Sequence, residues 1–196
     1  MNPRILRDTR VAFFPDKLST AARIATSIVT LLGILIFAYS VYRATLQFEL
    51  TWFTLVMLTG LAGNFTVTLP ILKKEKHSVS VAMGDVFVFL AIFFYGPYIA
   101  VLASAAEGIS MNLRAKVGAT YKRLFNIGQL SLVSFLIGHL FYLLEGLPNS
   151  FGLHERVLSV HFILAVVVCA LAYFLVNTGI VSITMGLSLS TNIFGV

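Results

Sequence analysis

The sequence predicts an all-α integral membrane protein with six transmembrane helices, both termini on the cytoplasmic side, and room for a short extended hairpin between helices two and three. Three observations carry this reading. The 196 residues are 58% hydrophobic and 11% charged, with a mean hydropathy of +0.92, whereas soluble domains carry roughly 25% charged residues. Apolar segments occupy nearly everything after residue 22, so residues 1–22 read as a basic lead and residues 23–196 as one membrane domain. The cations are also sorted by side: 12 of the 14 (Arg4, Arg7, Arg10, Lys17, Arg23, Lys73, Lys74, Lys76, Arg114, Lys116, Lys122 and Arg123) fall on segments that are inner if the N-terminus is inner, and Arg43 and Arg156 on outer ones. That asymmetry is the positive-inside pattern. It accounts for the net charge of +6 and the pI of 9.7 without any need for nucleic acid.

In chain order, Leu6, Val11, Phe13 and Phe14 of the lead stand beside arginines and suit the headgroup layer. The first span, about Ile24–Tyr42, is too long for a signal-peptide core, so cleavage is not expected. A second apolar run goes from Glu49 to about Leu72, with Trp52 and Phe53 placed for an outer aromatic belt. Phe65–Leu69 and Ser78–Val81 alternate apolar with polar, which favours extended chain, and Pro70 is a poor helix-interior residue. Two readings stay open: a plain long helix, or a helix ending near Gly63–Asn64 with an extended pair flanking Lys73–Lys76.

Helices three and four fall within Ser80–Lys116, joined by the turn Tyr95–Gly96–Pro97. Helix five covers about Tyr121–Leu144 and leaves through the turn-rich Glu145–Gly152. Val157–Ser190 is too long to cross perpendicularly, since 34 residues extend about 51 Å as one helix. The expectation is that Leu153–His161 lies along the outer surface and a span runs from about Leu164 to Leu189; the alternative is two spans joined near Asn177–Gly179.

Asp85 and Glu107 are the candidate site. Each lies eleven residues from Gly96, one before it and one after, so both sit ~16 Å from the turn at 1.5 Å per residue, about halfway through a ~30 Å hydrocarbon core. A carboxylate there is costly unless paired, protonated or facing a polar cavity, and two close carboxylates do not both ionise readily. The pair therefore reads as ligand-binding or proton-sensing; the alternative is helix-to-helix bonding or a snorkelling arginine. Asn126, Gln129 and Asn177 are candidate ligand contacts, or amides bonding across an interface. Gly60–Gly63 and Ala103–Ala106 read as small-residue packing patches. Cys169, the only cysteine, excludes an internal disulfide framework. His139 and His161 lack metal-ligand spacing, so no metal and no cofactor are expected. There is no GxSxG, HExxH, P-loop or CxxC, and no catalytic residue is expected.

Three stretches, GDVFVFLAIFFYGPYIAVLASA around Val81–Ala103, Arg123–Leu130 (RLFNIGQL) and Tyr173–Thr178 (YFLVNT), resemble the amino-terminal membrane region of bacterial signalling proteins with cytoplasmic GGDEF or HD-GYP domains. That six-helix region is similar to the vitamin-binding S components of energy-coupling-factor transporters. The resemblance covers about residues 50–190 in the same order, and its asparagine and glutamine positions fall on Asn126, Gln129 and Asn177. It implies a sensory domain of the bacterial inner membrane that passes a small-molecule or proton signal to a cytoplasmic output domain or partner protein, with a homodimer left open. The alternatives are an S-component-like transport subunit and a plain anchor or dimerisation module. The chain ends at Val196 without an output domain, so it is expected either to be a fragment of a longer signalling protein or to act alone.

Overall fold

A computed structural model describes residues 18–46, 48–70, 78–114, 119–146 and 159–193. Among these lie six helices, α1 (Thr20–Thr45), α2 (Leu50–Ala62), α3 (Gly84–Tyr95), α4 (Pro97–Arg114), α5 (Thr120–Glu145) and α6 (Val160–Ile193), with strands β1 (Thr66–Pro70) and β2 (Ser78–Ala82) between α2 and α3. Three helices are long and apolar enough to cross a membrane: Thr20–Thr45, Thr120–Glu145 and the stretch Val160–Ser188 of α6. The chain is accordingly a multi-pass membrane protein in contact with lipid. Residues 1–17 of the basic lead, the loop Lys73–Lys76, Lys116 and the segment Leu153–Val157 lie outside the described residues, and the last residues of the expected lead, from Thr20, already belong to α1.

The lipid-facing helices carry their bulk outward. On α1, Ile24, Ile28, Leu31 and Leu35 are exposed, while the small residues Ala22, Thr26, Gly33, Ser40 and Ala44 are buried. With no hydrophobic force between helices in lipid, close packing decides the interface, and small residues allow it. A Cβ on Gly33 would fall 1.9 Å from the Gly128 carbonyl oxygen, so backbone meets backbone where α1 crosses α5. On α6, Ala165, Cys169 and Tyr173 recur every fourth residue as its buried stripe. Ser19 caps α1 by accepting from the Ala22 amide at 2.9 Å, and its hydroxyl donates to the Leu187 carbonyl at 2.7 Å, tying the start of α1 to the far part of α6.

At the centre is α4, packed against α1, α2, α3 and α5. Ala100, Ala103, Ser104, Ala105 and Gly108 are all buried on it, and Gly60 of α2 faces Ala106 and Ser110 across a seam closed by a Ser110 hydroxyl donating to the Gly60 carbonyl. The two small-residue patches thus pack against each other. Pro97 opens α4 directly after Gly96, which ends α3 at φ +91°, and proline suits the first helical position because the amide it lacks would be unbonded there.

Helices α2 and α3 have 13 and 12 residues, hence ~20 and ~18 Å of length, short of a ~30 Å core. The long-helix reading of the second run is therefore corrected, and so is helical structure over Ser80–Ala82. The chain takes up extended geometry instead, pairing Thr66 with Ala82 through to Pro70 with Ser78, and Met83 N–H donates to the Phe65 carbonyl at 3.1 Å to extend the ladder. Period-two alternation and a proline at the strand end are the physical reason.

At the chain's far end, two expectations are corrected. α6 is one helix of 34 residues, so there is no break near Asn177–Gly179, and Val160 and His161 already belong to the helix. The Asn177 amide is engaged sideways by α5 rather than capping a helix end.

Candidate functional site

The α2–hairpin–α3 connection places the acid pair. α2 ends at Ala62 and α3 begins at Gly84, and the side chain of Glu107 from α4 fills the space between those ends. A Cβ on Gly84 would lie 2.3 Å from Glu107 Oε1, and one on Gly63 would lie 3.2 Å from Glu107 Cγ. Gly84 is thus needed for Glu107 to sit where it does, and Gly63 allows its close approach. The residue is 1% exposed, and neither carboxylate oxygen has a hydrogen-bond partner. Asp85 stands in the first turn of α3, not in mid-helix, with Oδ1 accepting from the Tyr173 hydroxyl of α6 at 3.0 Å. Both acids therefore gather at the positive end of the α3 dipole, the end that favours negative charge. The α3 N-cap residue, Met83, makes no side-chain cap bond.

The amides form two further joints. Gln129 Nε2 donates to the Asn177 carbonyl at 3.2 Å and to its side-chain oxygen, fastening α5 to α6. Asn126 Nδ2 donates to Asn112 Oδ1 at 2.8 Å, and Asn112 Nδ2 to the Arg123 carbonyl at 3.0 Å, fastening α4 to α5. The five sequence candidates thus separate into Asp85 with Glu107, Gln129 with Asn177, and Asn126 with Asn112. The Tyr173–Asp85 and Asn177–Gln129 joints leave α6 one turn apart on the same face.

Tyr173 and Asn112 are the site residues that sequence reasoning passed over as polar partners. Tyr173 was visible as the residue one helical turn before Asn177, and Asn112 as the only amide on the helix of Glu107. Around the Tyr173 ring, Phe89 lies 5.4 Å away and continues through Phe93 to Phe141 and Phe162, an apolar wall on one side of the acids. Among the described residues no group of three or more His, Cys, Asp or Glu comes together.

Two cavities flank this layer. One of about 320 Å³ opens at the end where α5 begins, lined by Asn126 with Thr26, Tyr121, Lys122 and Thr184. The other, of about 280 Å³, opens at the opposite end, where α1 finishes and α4 starts. Asn126 lines the first; Asp85, Glu107, Gln129 and Asn177 line neither. Comparison with protein-family models, curated protein sequences and solved structures yields no match for this chain.

Proposed function

We propose that this chain is the membrane-embedded sensory, ligand-binding domain of a bacterial signalling protein, set in the inner membrane with both termini in the cytoplasm. A small solute or a proton at Asp85 and Glu107 is the signal, and α6 carries it to a cytoplasmic output domain or partner. The observation that carries this reading is the join between the acids and α6: Tyr173 donates to Asp85, while Glu107 beside it has no hydrogen-bond partner among the described residues. A buried acid in lipid is a functional feature by default, and its neighbour Asp85 is joined through the Tyr173 hydroxyl to a helix otherwise mostly exposed.

Support for the orientation comes from the ends of the helices. Arg23, Arg114, Lys122 and Arg123 stand at one end, whereas Arg43 shares the other with Glu49 and Glu145. Neutralising or engaging Glu107 changes the interaction free energy of one packing of α3, α4 and α6 relative to another, so occupancy shifts the population between them.

Native mass spectrometry of the gently solubilised protein tests the reading, paired with hydrogen exchange along α6 before and after acidification. A co-purified solute, or an acid-dependent change in α6, that disappears in the Asp85→Asn, Glu107→Gln double variant supports it. Persistence of either response in that variant refutes the site assignment.

A further inference from the structure

The 280 Å³ cavity at the end opposite the basic loops lies between the end of α1, the start of α2 and the α3–α4 turn. Its floor is apolar and well packed: Ala44 is 3% exposed, Trp52 7% and Ile99 7%. Tyr95 and Tyr98 form half-buried walls, and the rim carries two opposite charges, Arg43 and Glu49, both exposed. These two do not pair with each other. The Arg43 guanidinium carbon stands 5.0 Å from the centroid of the Tyr98 ring, and no carboxylate among the described residues is within ion-pair distance of it. Glu49 precedes the first turn of α2 without a side-chain cap bond, and among the described residues its carboxylate accepts from the Thr51 hydroxyl alone, at 3.3 Å.

Among the described residues the Arg43 guanidinium meets a tyrosine ring but no carboxylate, and Glu49 meets a hydroxyl but no cation, so an aromatic cavity rimmed by both suits a ligand with the converse pair of charges. We infer that this cavity binds a small zwitterion, its carboxylate or phosphate on Arg43 and its ammonium between Glu49 and the half-buried ring of Tyr95. A guanidinium offers parallel donors to a planar or tetrahedral anion, and aromatic faces attract an ammonium within about 6 Å of the ring centroid. At about 30 Å³ per liquid water, the 280 Å³ equals about nine waters, which admits an amino-acid-sized solute or a lipid headgroup and little more. A singly charged analogue would leave one rim charge partly desolvated and unmatched, so both charges of the ligand are required. The site is separate from the acid pair. Tyr95 is ten residues from Asp85 along α3, a rise of ~15 Å, and the inference does not depend on the sensory reading.

Trp52 is the sole tryptophan, so its fluorescence reads this cavity directly. The test titrates the protein in phosphatidylglycerol nanodiscs with L-leucine and with glycerophosphoethanolamine. The controls are 4-methylpentanoate and isoamylamine, which are leucine without its ammonium or without its carboxylate. A saturable change with either zwitterion is expected, at least tenfold weaker with both controls. It should be at least tenfold weaker in Arg43→Gln and in Glu49→Gln, partly retained in Arg43→Lys, and unchanged in the Asp85→Asn, Glu107→Gln double variant. Response to leucine identifies a free solute. Response to glycerophosphoethanolamine alone, with phosphatidylethanolamine retained in native mass spectra, identifies a lipid headgroup. No response to either zwitterion, equal response to a singly charged control, or binding that survives both rim substitutions in folded protein overturns the inference.

Discussion

Replacing Glu107 by methionine is expected to make this protein more stable while silencing the acid site. The side chain is 1% exposed and both its oxygens lack partners, and a buried polar group left unsatisfied costs about 1–3 kcal/mol in protein mutational data. Methionine matches glutamate in length, carries no strong polar atom and adapts to irregular space, so it removes that cost without opening a cavity. For a chain of this size each kcal/mol shifts Tm by roughly 2–4 °C, and the expected rise is ~2–12 °C. Glu107→Gln is the control, because it keeps polar atoms at the same place and should leave Tm within about 2 °C. Thermal unfolding followed by far-ultraviolet circular dichroism in one detergent compares the three proteins. The response described for the acid site should vanish in Glu107→Met, since stability and function pull apart where an unfavourable group is retained for what it does. A Tm lower by more than about 3 °C in Glu107→Met would sink the argument, because it would mean that the carboxyl is bonded and structural.

Other expectations follow from neighbouring contacts. Tyr173→Phe removes the hydroxyl that donates to Asp85 and should cost about 0.5–1.5 kcal/mol, read as a fall in Tm together with faster hydrogen exchange along α6. Gly84→Ala places a methyl group 2.3 Å from Glu107 Oε1 and should cost about 1–3 kcal/mol. Most of that loss should be recovered in a Glu107→Ala background, and a double-mutant cycle with strictly additive losses would contradict the contact. The Gln129→Leu and Asn177→Leu cycle should give a coupling of ~0.6 kcal/mol and no more than ~1.7. Gly33→Val, whose Cβ would meet the Gly128 carbonyl oxygen at 1.9 Å, should prevent α1 from closing on α5 and yield aggregated protein by size-exclusion chromatography.

Much of this architecture was legible because lipid imposes simple rules. The long apolar helices α1, α5 and α6 announce themselves by length and hydropathy, and the α3–α4 turn by Gly96–Pro97. Alternation at Phe65–Leu69 and Ser78–Val81 showed where helical period fails, although it could not choose between a strand pair and a long helix. Which side chains meet is another matter. Position along the chain gives distance from the α3–α4 turn, as for Asp85 and Glu107, but rotation about the helix axis is settled by packing. Gln129 and Asn177, 48 residues apart in the chain, meet only because the stripe Ala165–Cys169–Tyr173–Asn177 turns toward α5. The cavity beside Arg43 was still less visible, since Arg43 and Glu49 read as loop residues until the fold sets them around one cavity with Tyr98 of α4.

The stopping point of α2 and α3 is what makes the buried acids tolerable. Had both helices run the full width of the bilayer, Glu107 would have faced a continuous wall of side chains, and Asp85 would have sat in mid-helix with every nearby amide already bonded. Because α2 ends at Ala62 and α3 begins at Gly84, two glycines replace that wall, and the positive end of a helix dipole faces the acids. The strand pair bonds the two extended segments to each other along their facing edges, so the chain between α2 and α3 keeps regular backbone pairing. The hairpin and the acid site are therefore one feature. Substitutions that restore helical continuity, such as alanine throughout 64–69, should expel Glu107 from its place even though no atom of the site itself has changed.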